Sequence, residues 1–260
     1  MRKYFEIGKI NFLNYINYFG EFFFKALFIL LILFIFVNIW KAAYAGKAVI
    51  EGFTIAMMMW YLLFTESIVT STSSVIKEVN KEIQGGDIVY QLNKPYHYIL
   101  YHLSRALSYR AIGFVVTFSM GAILVWIMVG GFNFNLLSIP AIIIIIALAL
   151  ILDFFMIMSI ALLAFWFEDT NSFRWVYDKF LFTIGGMLIP LEIFPKWLSN
   201  ISGVLPFSFV AYYPAKMFVN FNVNELLRVI IYQIGYIFIF AVLAFTIYHF
   251  GSRRLNINGG

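Results

Sequence analysis

The 260-residue sequence is 63% hydrophobic, 20% aromatic and 12% charged, with a net charge of +5 and a mean hydropathy of +0.89. A soluble globular domain carries roughly 25% charge, so this composition excludes one and makes the bilayer the solvent for most of the chain. The basic residues are scattered among loops and helix ends and form no stripe for nucleic acid, and the absence of cysteine removes any disulfide framework or thiol nucleophile.

A helix crosses the hydrocarbon with about 20 apolar residues, so the length accommodates six spans and short loops in one membrane domain, 1–260. From Phe5 to Gly20 the chain is weakly amphipathic. Phe5, Phe12, Leu13, Ile16 and Phe19 share one face, with Glu6, Asn14 and Asn17 opposite, the pattern of a helix lying on the membrane; a plain extension of the first span is the alternative. The first span is expected at Phe22 to Trp40, with Lys25 snorkelling to the headgroups. Ala43-Tyr44-Ala45 has the small-x-small form of a cleavage site, but the apolar run is too long for a signal peptide, so the span is expected to stay uncleaved.

The second span is expected from Phe53 to Ile76. Glu66, Thr70, Ser73, Ser74 and Lys77 recur at helical spacing along its second half as one polar stripe. Such a stripe faces other helices or water, because a lipid-facing carboxylate near mid-bilayer costs about 2.5–3.5 kcal/mol. It reads either as a lining of a translocation path or as interhelical hydrogen bonding, the latter favoured for the hydroxyls.

Lys77 to Arg110 is the one long stretch too charged and too broken to span. The second helix is expected to continue through Glu82 and stop at Gly85-Gly86. Asp87 then caps a short helix to Leu92 that ends before Pro95, with Ile88 and Leu92 on one exposed apolar face. A plain turn is the alternative.

A third span follows at Ala111 to Gly131 and an uncharged turn at Phe132 to Ile139. The fourth span runs from Pro140 to Phe167 with Asp153 at its middle. Apolar helical neighbours surround that carboxyl, which must be protonated, paired or turned into the bundle. Glu168 to Lys179 reads as a charged loop. The next apolar run contains Gly185, Gly186, Pro190, Glu192, Pro195, Pro206 and Pro214, a series that no straight helix tolerates. It predicts a fifth span broken near Pro190, then one or two short helices dipping back into the outer leaflet, since non-helical backbone at membrane depth survives only inside protein or beside water. The sixth span is expected at Leu226 to Phe250.

With both termini cytosolic, Arg2, Lys3, Lys9, Lys25, Lys77, Lys81, Lys94, Arg105, Arg110, Arg174, Lys179, Arg253 and Arg254 lie inside. Lys41, Lys47, Lys196, Lys216 and Arg228 lie outside. The asymmetry, thirteen against five, follows the positive-inside rule and sets Lys77 to Arg110 in the cytosol.

No phosphate-binding G-x-x-x-x-G-K-[ST] loop is present. His97, His102 and His249 lack metal-ligand spacing, and no hydrolase signature occurs, so the chain reads as neither an ATPase nor another enzyme, with no metal or cofactor.

The chain resembles the permease subunits of ABC-2-type ATP-binding-cassette exporters. Glu82-Ile83-Gln84-Gly85-Gly86-Asp87-Ile88 with Leu92 and Pro95 carries the likeness. So do Gly185-Gly186-x-Leu188-Ile189-Pro190-Leu191-x-x-Phe194-Pro195-x-Trp197-Leu198, and Leu205-Pro206-Phe207 followed by Tyr212-x-Pro214. The resemblance implies a half-transporter of the bacterial cytoplasmic membrane that pairs with a second permease, identical or paralogous, and docks separate ATPase subunits. The loop after the second span would be the coupling helix, with Glu82, Gly85, Gly86, Asp87, Ile88, Leu92 and Pro95 as ATPase-coupling residues. Pro190 to Pro206 would form re-entrant helices. Glu66, Thr70, Ser73 and Asp153 are translocation-path candidates. Competing readings are an ion-coupled secondary transporter using Glu66 and Asp153, for which no internal repeat is evident, and a non-transporting membrane assembly subunit.

Overall fold

A computed structural model describes residues 2–255. Among them the chain is helical almost throughout, with a single antiparallel bridge, Ile50 to Phe53, in place of any strand. Helix α1 covers Arg2–Asn17 and α2 covers Phe19–Tyr44. The apolar run of α2 contains no proline, and it ends where Ala45 and Gly46 turn left-handed at φ 45° and 84°. Helix α3 (Ile55–Thr70) begins at Thr54, whose side chain accepts the Met57 N–H at 3.2 Å. Then come α4 (Val75–Gln84), α5 (Ile88–Leu92), α6 (Tyr98–Val129) and α7 (Ile139–Ala161), the last with Pro140 in its first turn. Helix α8 (Asn171–Thr183) precedes three short helices, α9 (Lys196–Ser202), α10 (Pro206–Val210) and α11 (Tyr212–Val219), and α12 is Val223–Leu255.

Helix α3 is the centre of the bundle. Every residue from Met58 to Ile68 is buried, packed among α2, α6 and α11. Gly121 of α6 permits a close crossing, because a Cβ there would overlap the Leu63 Cδ1 of α3 and come within 3.1 Å of the Leu33 Cδ1 of α2. Helix α12 lies along α7, and α1 lies along α6 with Phe5, Leu13 and Ile16 exposed, as are Glu6, Asn14 and Asn17.

Among the described residues five helical runs are long and apolar enough to cross a membrane: Phe19–Tyr44, Ile55–Gln84, Tyr98–Val129, Leu136–Phe165 and Val223–Arg254. The fifth expected span is not among them. Helix α8 has 13 residues, about 20 Å at 1.5 Å per residue, against a hydrocarbon core of about 30 Å.

Several boundaries differ from the sequence expectation, each for a physical reason. The second span does not run unbroken to Glu82. It stops at Thr70 and restarts at Val75, because Ser71, Thr72, Ser73 and Ser74 are weak helix formers whose hydroxyls compete for backbone partners. Ser71 Oγ, for instance, donates to the Ile68 carbonyl at 2.7 Å. The third helix starts at Tyr98, not Ala111, since His102, Arg105 and Arg110 find partners inside the bundle. The charged loop ends early. Helix α8 already begins at Asn171, stabilised by Arg174 donating Nε–H to Asp178 one turn on, at 2.7 Å. The break after α8 falls at Gly185-Gly186, ahead of Pro190.

Candidate functional site

At one end of the bundle α4 is clamped on two sides. Tyr98 donates its hydroxyl to Glu82 Oε2 at 2.5 Å, and His102 Nε2 lies 3.2 Å from the same oxygen. One turn back, Glu78 pairs with Arg105 at 3.2 Å and reaches the other side of the His102 ring at 3.9 Å. These contacts fasten α4 to α6. On the opposite flank Gln84 donates to the carbonyls of Ala164 and Phe167 at 3.2 and 3.1 Å, and Asn80 bonds Asp169 and Thr170 at 3.3 and 3.2 Å, fastening α4 to the end of α7 and the following loop. In that loop the Asn171 backbone and side-chain N–H groups, then Asn80, hold the Asp169 carboxyl below its usual pKa. Helix α1 joins the same end: Lys3 donates to the Pro95 carbonyl at 2.7 Å, and the Tyr4 hydroxyl accepts the His97 N–H at 2.9 Å. Burial against Phe245 and Tyr248 of α12 lowers the His97 pKa, favouring the neutral ring.

Helix α5 projects from this clamp. Helix α4 ends at Gln84 with Gly85 at its C-cap, and Gly86 reverses the chain at φ 78°, as the glycine pair predicts. Two details differ. The Asp87 side chain makes no capping hydrogen bond. Ile88 does not share an exposed face with Leu92, because it is 0% exposed and packs into the core, fixing α5 in place. The exposed apolar side chains are Val89 and Tyr90, 49% and 74% accessible, with Leu92 beside them at 37%. Sequence periodicity overlooked Val89 and Tyr90 because five residues are too few to define a face. Glu82 faces inward to Tyr98 and His102, so it positions the segment instead of presenting it.

A second constellation lies further along the bundle. Asp153 of α7 is paired: the Arg110 Nη2 donates to its Oδ2 and the Tyr177 hydroxyl of α8 to its Oδ1, while Arg110 Nη1 donates to the Leu150 carbonyl at 3.2 Å. Arg110 and Asp153 are both essentially sealed from solvent. A buried charge needs a partner and hydrogen bonds for its remaining atoms, and at the junction of α6, α7 and α8 this triad supplies them to both Asp153 oxygens and both terminal Arg110 nitrogens, while the Arg110 Nε is buried without a partner. The polar stripe of α3 behaves differently. Thr70 Oγ1 donates to the Glu66 carbonyl at 2.6 Å and Ser67 to the Leu63 carbonyl at 2.7 Å, so these hydroxyls bond their own helix. The Glu66 side chain, on a residue 3% exposed, makes no hydrogen bond or ion pair among the described residues. Ser73 lies in the break after α3, out of helical register with Thr70.

The third region is the broken segment toward the other end. Gly186 has φ 71°, and a Cβ there would stand 2.9 Å from the Tyr212 Cβ, so shape and backbone both demand glycine. Helix α3 satisfies the freed carbonyls: Tyr61 donates to Gly186 and Thr65 to Met187, the latter at 2.8 Å. Beyond Pro190, Glu192 accepts from Tyr212 at 2.6 Å and pairs with Lys216 at 3.2 Å, and Lys216 also pairs with Glu225 at 3.1 Å. Pro195 and Pro206 precede or begin short helices α9 and α10. No group of three or more potential metal ligands occurs among the described residues.

The family described as ABC-2 family transporter protein matches residues 13–259. No curated protein matches the chain.

Proposed function

The chain belongs to the ABC-2 family of transporter proteins, a membrane permease whose partner is an ATP-binding-cassette ATPase, and from that premise we propose that it is the permease subunit of an exporter. The observation that carries the coupling part of this reading is α5, a short helix fixed by buried Ile88 and presenting Val89, Tyr90 and Leu92 outward from the α4 clamp. The ATPase docks on that face. Since α4 is bonded to both α6 and α7, a push on α5 reaches those two helices together.

The orientation proposed is the positive-inside one, with both termini and the α4–α5 end in the cytosol of a bacterium. Helix α8 and the chain through Gly185 to Pro190 together make the fifth crossing, for a total of six. About six residues of extended chain add up to roughly 20 Å to the 20 Å of helix, and the stretch remains inside protein, with Met187 and Leu191 buried. Helices α9 to α11 form the re-entrant segment. A second permease, identical or paralogous, completes the path along which cargo leaves the cytosol or inner leaflet. In this reading Glu66 faces that path, since its carboxyl is the one in the α3 stripe without a protein partner. Asp153, held by Arg110 and Tyr177, positions helices and is removed from the translocation candidates.

Co-expression with an ATPase subunit from the same organism tests the reading. Tyr90→Asp is expected to abolish co-purification of the ATPase while membrane insertion persists. Ile88→Asp is a poorer probe, because it buries a charge in the core. Retention of the ATPase by Tyr90→Asp and Val89→Asp alike would sink the docking assignment.

A further inference from the structure

Helix α5 by itself is too small for the partner proposed to dock on it. A stable protein–protein interface takes about 800 Å² and about 20–30 residues from each side, whereas α5 has five residues, of which Val89, Tyr90 and Leu92 face outward. The rest of the contact surface must adjoin α5, and an exposed apolar patch is bonded directly to the helix that carries it.

That patch is the turn between α7 and α8. Trp166 and Phe167 are 38% and 49% exposed, as open as Leu92 and Val89. The turn is tied to the end of α4 from which α5 projects. Gln84, the residue before Gly85-Gly86, donates to the Ala164 and Phe167 carbonyls, and Asn80 one turn back bonds Asp169 and Thr170. From the other side the Arg254 guanidinium of α12 lies over the Trp166 ring, 5.6 Å from its centroid, and Gly251 lets α12 close on the Phe165 ring, which a Cβ there would overlap. Phe173 of α8 meets Phe167 edge-on at 5.4 Å. The turn is thus held by α4, α8 and α12 together, with the outer surfaces of its two aromatic side chains left open.

Charge separates the two occupants such a patch could have. Aromatic side chains at the end of a crossing helix also suit a membrane interface. Here, however, Glu168 and Asp169 follow Phe167 at once, both exposed, with no basic residue before Arg174. Adjacent carboxylates oppose an anionic inner leaflet, and they suit a protein surface that offers an apolar pocket with a basic rim.

We infer that Trp166, Phe167 and Glu168 form the second half of the ATPase footprint, received by an apolar pocket with a cationic edge on the same subunit that grips α5. The inference rests on the α5 docking reading. It gives the turn a task that α5 cannot perform: contact at α5 moves α4, while contact at the turn moves α7, α8 and the end of α12, so that the ATPase holds the α4 clamp from both flanks.

The chain has no cysteine, so one introduced cysteine is a unique attachment point. Glu168→Cys, Val89→Cys and, at the opposite end of the bundle, the exposed Asn200→Cys are each labelled on the purified full chain with a photoactivatable crosslinker. They are then reconstituted in lipid nanodiscs and combined with the ATPase that the wild-type chain captures. The labels at 168 and 89 are expected to crosslink to the ATPase, and the label at 200 is not. Phe167→Ser should weaken ATPase capture about tenfold with the melting temperature at its wild-type value. Glu168→Gln should slow association at low salt and lose that effect at high salt. Crosslinking from 89 but not from 168 leaves the α5 reading standing and overturns the second contact. Transfer of the 168 label to lipid assigns the turn to the membrane and overturns it too, as does wild-type capture by Phe167→Ser and Trp166→Ser alike. Absence of crosslinks from both 89 and 168 removes the α5 reading and this inference with it.

Discussion

The two places where helix gives out inside the bundle are built from different chemistry. At Ser71 to Ser74 and the nearby α6–α7–α8 junction, charged side chains hold the helices: Arg110 with Asp153, Glu78 with Arg105, Glu82 with Tyr98 and His102. At Gly185 to Pro190 the freed carbonyls take neutral hydroxyl donors, Tyr61 and Thr65, and a charged knot, Glu192 with Lys216 and Glu225, sits beyond the break. A charged junction adds little net stability when complete but is costly when halved. A hydroxyl-to-carbonyl junction is cheaper to perturb and depends on backbone shape. The first therefore suits an end that moves as a block under an external push, and the second a segment whose contour must be kept.

The largest effect is expected from halving the buried pair. Asp153→Ala leaves Arg110 desolvated and should lower stability by about 3–5 kcal/mol, whereas Asp153→Leu combined with Arg110→Leu should recover most of that loss. Apparent melting temperatures of the purified protein would show it. Wild-type melting of Asp153→Ala would mean that the pair does not hold α6 to α7.

Next comes the shape of the far break. Gly186→Ala meets both the left-handed backbone and the Tyr212 Cβ at 2.9 Å, for an expected loss of about 2–3 kcal/mol. Gly46→Ala is the matched control. Its φ of 84° is just as unfavourable to alanine, but nothing lies within 4 Å, so the cost should be about 1–2 kcal/mol. Equal losses at the two glycines would show that backbone conformation, and not the close packing on α11, fixes the segment.

These comparisons also show what the sequence could and could not convey. The glycine pair at 85 and 86, the stop before Pro95 and the proline-rich interruption were legible, because each rests on local backbone chemistry. The break at Ser71 to Ser74 was visible as a run of weak helix formers, but the polar stripe it interrupts suggested continuity. Helix α8 was masked by its charges, although Arg174 and Asp178 at four-residue spacing carried the signal. The pairing of Asp153 with Arg110, 43 residues away, had no local sign, since periodicity marks a buried carboxyl without naming its cation. Nor could five residues of α5 reveal that Ile88 turns inward.

Smaller effects refine the contrast. Tyr61→Phe removes the donor to Gly186 and should cost about 1–2 kcal/mol. Combined with Thr65→Val, the loss should depart from the sum, since both donors serve adjacent carbonyls of one segment. Strict additivity in melting experiments would indicate that Gly186 and Met187 are held independently.

Tyr90→Ser should move stability least, within about 0.5 kcal/mol, because the side chain is 74% exposed and touches nothing that the fold needs. Its consequence is expected in partnership alone. If α5 is a docking face, Tyr90→Ser weakens ATPase capture while the melting temperature stays at the wild-type value. Ile88→Ser, by contrast, lowers both, because it loosens the core contact that aims the helix. A variant at Tyr90 that melts early would reassign the residue to the clamp, and would make the charged end a structural junction instead of the surface through which the bundle is driven.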